Sequence, residues 1–214
     1  MTAVQHTEPL PDCPLCPRLA AFRHELRERH EDWFNAPVPS FGDPDAEFLV
    51  VGLAPGMKGA NRTGRPFTGD YAGVLLYETL IEAGFATGRY AERPDDGLQL
   101  RNCRITNAVR CLPPANKPET AEIATCRPFL IRQIEALSRL RVILALGRIA
   151  HDSTITAFGL KKSAFPFGHG ARHILPGGRM LIDSYHCSRY NTQTRRLTPE
   201  MFRDVIAAAR AELG

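Results

Sequence analysis

The sequence predicts a layered α/β fold around a mainly parallel sheet, on two observations. Phe48-Leu49-Val50-Val51 and Val142-Ile143-Leu144-Ala145-Leu146 are short, continuous apolar runs that end in glycine, as strands buried on both faces do. Between such runs lie segments of helical periodicity, and strands alternating with helices pack as layers joined by right-handed crossovers. The chain has 214 residues, 43% of them hydrophobic, and no internal repeat, which suits one domain spanning 1-214.

In chain order, Phe48 to Val51 is the first strand and Val74 to Ala83 a helix. Ile105 to Val109 is the next strand candidate, followed by a helix over Pro118 to Leu140 with Leu130, Ile134 and Leu137 on one face. Val142 to Leu146 leads into a helix over Arg148 to Phe158. Arg179 to Tyr185 follows the Pro176-Gly177-Gly178 turn signal and reads as the fourth strand. The final helix, Pro199 to Leu213, has Thr198 as N-cap and proline at its first position.

In such sheets, ligands bind beyond the carboxyl ends of the strands. Three segments there are polar or glycine-rich: Gly52 to Asp70, Asn107, and His186 to Asn191. The glycines of the first let backbone N–H groups approach a ligand, although neither GxxxxGK[ST] nor GxGxxG is present. A plain long turn is the competing reading.

Cys13 and Cys16 form one pair, Cys111 and Cys126 another with fourteen residues between them. Residues 1 to 20 contain no apolar signal-peptide core, and no long uncharged apolar run suits a membrane helix. A soluble, cytoplasmic protein without membrane contact is expected. In a reducing compartment the four thiols read as ligands to zinc or to an iron-sulfur cluster rather than as disulfides, and spacing leaves the metal open. Cys103 and Cys187 read as ordinary thiols.

The net charge of +4 conceals an asymmetry. Residues 1 to 100 carry 9 basic and 15 acidic side chains, and residues 101 to 214 carry 18 and 8, giving halves of −6 and +10. A basic second half suits a polyanion such as nucleic acid, or is simply a solvated face.

Taken together, Gly52-Leu53-Ala54-Pro55-Gly56, Gly64 to Asp70, Thr106-Asn107-Ala108-Val109-Arg110-Cys111 and His186-Cys187-Ser188 resemble the iron-sulfur uracil-DNA glycosylases, from about residue 13 to residue 196. One branch has glutamate where this chain has Leu53, so the likeness is to the other, family 5 or type B, whose members accept further deaminated bases. The resemblance implies a three-layer α/β/α fold with a central, mainly parallel four-stranded sheet. It also implies a 4Fe-4S cluster on Cys13, Cys16, Cys111 and Cys126 that tethers the N-terminal segment, zinc being the lesser alternative.

The expected activity is hydrolytic excision of uracil, and of hypoxanthine, xanthine or other damaged bases, from double-stranded and also single-stranded DNA by a monomeric, monofunctional enzyme. The base must leave the stack to be reached. The resemblance puts Phe67 against the flipped base, backbone groups of Gly52, Leu53, Ala54 and Gly56 at its carbonyl edge, and Asn107 on its Watson–Crick edge. His186 would donate to the oxygen that gains charge, and Asp70 would orient water or else cap a helix beginning near Ala72. Arg189 and Tyr190 would wedge the duplex from a loop that includes Ser188, Asn191 and Thr192, with Arg62, Arg195 and Arg196 on the DNA. No lysine occupies the positions that match the family's pocket, which argues against a Schiff-base lyase step. The alternative is a noncatalytic, metal-stabilised nucleic-acid-binding protein.

Overall fold

The computed structural model describes residues 7–214; the first six, part of the stretch read as lacking a signal-peptide core, lie outside them. The elements are α1 (Pro17–Arg29), β1 (Phe41–Gly42), β2 (Phe48–Gly52), α2 (Ala60–Thr63), α3 (Tyr71–Glu82), β3 (Ala86–Thr87), β4 (Gln99–Leu100) and β5 (Cys103–Asn107). They continue with α4 (Thr120–Ala136), β6 (Val142–Leu146), α5 (Arg148–Ala157), β7 (Arg172–Ile174), β8 (Met180–Ser184), α6 (Arg189–Gln193) and α7 (Pro199–Leu213).

The main sheet has the order β1-β5-β2-β6-β8-β7. Its four inner strands run parallel, while β1 and β7 pair antiparallel at the edges. The parallel core is therefore the four-stranded sheet expected, widened to six by two edges of two and three residues, too short to carry a periodicity. Both faces are covered, which is why the inner strands are continuously apolar. Phe48, Val50, Val142 and Leu144 pack with Leu76, Leu80, Phe202 and Ile206 of α3 and α7. The alternate residues Leu49, Val51, Ile143 and Ala145 pack with Leu130, Ile134, Ala150 and Ile155 of α4 and α5. Three layers, α/β/α, result.

Several boundaries differ from expectation. β5 starts at Cys103 rather than Ile105 and stops at Asn107, because Ala108 and Val109 turn their N–H groups to the Gly52 and Leu53 carbonyls beyond the strand. That makes Cys103 a fully buried strand residue, and Cys187 is buried behind the cavity described below. α4 opens at Thr120 instead of Pro118, with Glu119 and Glu122 closing a capping box, and ends at Ala136. α3 begins at Tyr71, three residues before the pattern's start, where Asp70 caps it. The stretch Ser188 to Thr192, expected as a loop, enters a short helix because the Ser188 hydroxyl accepts from the Asn191 N–H. At α7 the Thr198 hydroxyl accepts from the Met201 N–H as anticipated. No helix among the described residues is long and apolar enough to cross a membrane.

Candidate active site

The chain runs from β2 to β5 on one side and then to β6 and β8 on the other, so the sheet reverses direction at β2. Crevices open at the carboxyl ends of strands at such a reversal. A cavity of about 490 Å³ lies there, walled by Leu53 to Ala60, Phe67, Asp70, Asn107 and His186 and rimmed by Tyr71, Asn116, Ser188 and Arg189.

Close backbone approach builds this wall. A Cβ on Gly52 would sit 2.3 Å from Asn107 Oδ1 and 2.7 Å from the Phe67 ring. One on Gly59 would sit 2.1 Å from Asp70 Oδ2, so the absence of both side chains makes room for three others. Asn107 is buried, and its Oδ1 has no partner within the protein. A buried amide oxygen left unpaired costs about 1–3 kcal/mol, which a ligand donor can recover. Among the described residues, the N–H groups of Ala54 and Gly56 likewise donate to no backbone carbonyl.

Phe67 adopts φ +52°, a left-handed conformation that only surrounding structure can hold in a bulky residue. The Tyr90 hydroxyl donates to the Phe67 carbonyl at 3.0 Å and accepts from the Gly69 N–H at 3.4 Å, while Tyr77 donates to the Pro66 carbonyl at 2.6 Å. Behind them, Arg65 forks onto Asp96 with two bonds of 2.8 Å and faces the rings of Phe41, Tyr77 and Tyr90. Tyr90 was invisible from sequence, since it reaches Phe67 from the hairpin region.

His186 lies with its ring centroid 5.8 Å from that of Phe67. Desolvation lowers its imidazole to about 4, leaving it neutral near pH 7. The Asn191 amide donates to the His186 carbonyl at 2.8 Å, tying this loop to α6. Asp70 is both a helix cap and part of the cavity wall: burial raises its carboxyl, only partly opposed by the N–H groups of Gly73 and Ala72.

Not every candidate joins this cavity. Ser188 and Arg189 reach its rim, Tyr190 projects outward at 71% exposure, and Arg195 follows α6 at φ +55°. Arg62 lines a neighbouring depression with Trp33 and Phe34. The cavity lining also includes a lysine the sequence reading did not weigh, Lys58; it is exposed rather than desolvated as an amine nucleophile requires.

A second polar cluster, unforeseen from sequence, braces β8 ahead of His186. His151 Nδ1 lies 2.7 Å from Asp183 Oδ1 and its Nε2 lies 2.8 Å from the Phe165 carbonyl, so both ring nitrogens face acceptors. Desolvation opposes the cation, but Asp183 and that carbonyl outweigh it and raise His151. His173 Nε2 meets the other carboxylate oxygen at 3.3 Å, which makes Asp183 a hydrogen-bonded bridge between two imidazoles.

The four cysteines Cys13, Cys16, Cys111 and Cys126 line one small cavity with Leu19, Val109 and Phe129. Burial pushes the Cys111 thiol up to about 12 and Cys126 to about 11, with mutual repulsion adding to it. Among the described residues, only His151, His173 and Asp183 offer three ligand atoms within 4.8 Å of one another, so the sulfurs are spread more widely than that. A tetrahedral zinc at about 2.3 Å from each sulfur would need them roughly 3.8 Å apart. The donor set fits a larger thiolate-bound group.

A model of the Uracil DNA glycosylase superfamily matches residues 39–210. The chain is 50% identical over 207 residues to the type-5 uracil-DNA glycosylase of Thermus thermophilus, covering 94% of each chain. It is 38% identical over 209 residues to that of Pyrobaculum aerophilum, covering 96% of this chain and 91% of the relative. The type-4 uracil-DNA glycosylase of Sulfurisphaera tokodaii is 32% identical over 174 residues, 78% and 72% of the two chains. With this extent of likeness along nearly the whole chain, the chain belongs to the uracil-DNA glycosylase superfamily, in its type-5 branch.

Proposed function

We propose that this protein excises uracil from DNA by hydrolysing the N-glycosidic bond, as the first step of base excision repair. Its membership of the type-5 branch supports the substrate and the reaction class. The observation that carries the reading is the convergence of Phe67, Asn107, His186 and Asp70 on one cavity at the carboxyl edge of the sheet. Breaking this bond builds positive charge on the sugar and negative charge on the departing base, so electrostatic stabilisation at both ends matters more than a strong nucleophile.

Phe67 stacks on the extruded base, and Asn107 pairs its orphaned oxygen and its amide N–H with the Watson–Crick edge. The N–H groups of Ala54 and Gly56 meet a carbonyl oxygen of the base. His186, neutral near pH 7, donates to the oxygen that gains charge and spends no buried cation in doing so. Asp70, as the carboxylate, orients the attacking water and steadies the sugar cation; Leu53 has no such group to offer. With Lys58 exposed at the mouth, the reaction stops at hydrolysis, without a Schiff base.

Hypoxanthine and xanthine are further substrates on this reading, since an Asn amide and a backbone edge can pair with either ring system. Arg189 and Tyr190 of α6 fill the gap in the duplex, with Arg62, Arg195 and Arg196 on phosphates. The enzyme works as a cytoplasmic monomer on double-stranded, and also single-stranded, DNA.

Cys13, Cys16, Cys111 and Cys126 would hold a 4Fe-4S cluster, whose thiolate bonds would cross-link the stretch just before α1 to Cys111, in the segment between β5 and α4, and to Cys126 in α4 itself. That segment delivers Asn116 to the cavity rim. The cluster's part is structural, because hydrolysis moves no electrons.

A duplex with a single uracil tests the reading. Wild-type protein should yield alkali-labile strands, and His186→Ala should bind the duplex while losing base release by about 10²-fold or more. Binding with no base release by the wild type would instead favour a nucleic-acid-binding module.

A further inference from the structure

Three arginines are buried among the described residues, and they are not partnered alike. Arg65 forks onto Asp96, and Arg110 meets Glu8 together with the Ser40 hydroxyl and the Val38 carbonyl. Arg23, on α1 and 4% exposed, has no carboxylate within 4.0 Å among the described residues, and residues 1–6 contain none. Its Nη2 donates to the Cys13 carbonyl at 3.0 Å, its Nη1 points at Cys111 Sγ at 3.6 Å, and its Nε has no partner. Asp12, close enough to feel its charge, is turned outward onto Arg27.

A guanidinium cannot shed its proton, so a buried one without a counter-charge is costly and demands an anion. Besides the Cys13 carbonyl, the group facing Arg23 is the Cys111 sulfur, one of the four that line the same small cavity. Four neutral thiols would leave the charge uncompensated, whereas a thiolate-ligated centre of net negative charge would balance it. We infer that Arg23 is the counter-cation of the centre held by Cys13, Cys16, Cys111 and Cys126, retaining it and raising its reduction potential. This rests on the iron-sulfur reading of those cysteines. Electrostatics sets the direction: a fixed positive charge beside the sulfurs favours the more negative, reduced member of a one-electron couple, and N–H donation to sulfur acts the same way.

The test measures iron, acid-labile sulfide and midpoint potential on anaerobically reconstituted full-length protein with electrode-driven reduction. Arg23→Gln should lower the potential by the equivalent of about tenfold in the reduction equilibrium, about 59 mV for one electron. Arg23→Lys, which keeps the charge, should stay near wild type. Arg203→Gln, altering an exposed arginine of α7 that pairs with Glu82, should change nothing. Should Arg23→Gln load no cluster while Arg23→Lys does, the need for charge is supported directly. Arg23→Gln with a full cluster and an unchanged potential overturns the inference, as does failure of both variants to load. Wild-type protein that takes up zinc or nothing in place of iron and sulfide would overturn the reading of the cysteines instead.

Discussion

The cavity at the sheet edge and the cysteine cluster both draw on the connection from β5 to α4, yet the protein finishes them differently. Around Phe67 the protein supplies every support itself: Arg65 has Asp96, Tyr77 has Pro66, and Tyr90 bridges Gly69 and Phe67. Around Cys111 polar groups are left over, with Arg23 Nε and Arg110 Nε unpaired near the cysteines, and burial disfavours ionisation of the Cys16, Cys111 and Cys126 thiols. The aromatic wall of the first region is held by protein groups alone; on the iron-sulfur reading, the second is completed by a group the chain must acquire. Asn116 links them, standing on the cavity rim from within the stretch bounded by Cys111 and Cys126.

The largest effect should follow from breaking the second region. Cys16→Ser would remove one of the four proposed ligands, and structural metals commonly contribute about 10 kcal/mol or more, comparable to a domain's whole net stability of about 5–15 kcal/mol. Folded yield, visible absorption and iron content should fall together, and chelation of wild-type protein should lower its thermal midpoint likewise. A soluble, colourless Cys16→Ser protein with wild-type melting would erase the contrast between the regions.

Next in size is Asp70→Asn, which should cut the single-turnover rate by about 10²–10³-fold with little loss of folding. Burial raises the Asp70 carboxyl, so on acidification it takes up its proton earlier than an ordinary carboxylate, and the rate should fall at correspondingly higher pH. His186, lowered to about 4, is neutral near pH 7, where the plateau of the profile is read. A raised carboxyl also means that the folded state binds its proton more tightly than the unfolded chain. Asp70 therefore favours folding below its folded-state pKa and opposes it at neutral pH. Asp70→Asn should melt no lower than wild type at pH 7 while lacking the acid limb. A variant that keeps the limb would take Asp70 out of the water-orienting role.

The same contrast decides what the sequence could reveal. The inner strands were legible because burial on both faces demands uninterrupted apolar runs, and Thr198-Pro199 marks a helix start by local chemistry alone. The edge strands β1 and β7 pair over too few residues to leave a pattern. α1 was missed because one of its three buried positions is Arg23, so its inward face does not read as apolar. Phe67, Asn107 and His186 could be named from motifs, and Asp70 admitted both readings because a helix cap and a cavity carboxylate are the same residue here. Tyr90 and the His151–Asp183–His173 bridge arise only from tertiary contact between distant segments, where no spacing rule operates.

Tyr90→Phe gives the smallest effect and the finest test of the self-sufficient region. The variant keeps the ring that faces Tyr77 and Arg65 but leaves the Phe67 carbonyl without this donor and the Gly69 N–H without this acceptor. One hydrogen bond is worth about 1 kcal/mol net, so kcat/KM should fall about fivefold. Because Phe67 is held at φ +52° by its surroundings, the loss should fall on base stacking after extrusion and leave duplex binding nearly unchanged. Holding Phe67 is work done by protein groups alone. The fold-loss should therefore be the same in fully loaded protein and in whatever folded fraction survives with depleted metal. A fold-loss that grows as metal is removed would mean that the wall leans on the cysteine region after all, and that the two regions are one unit.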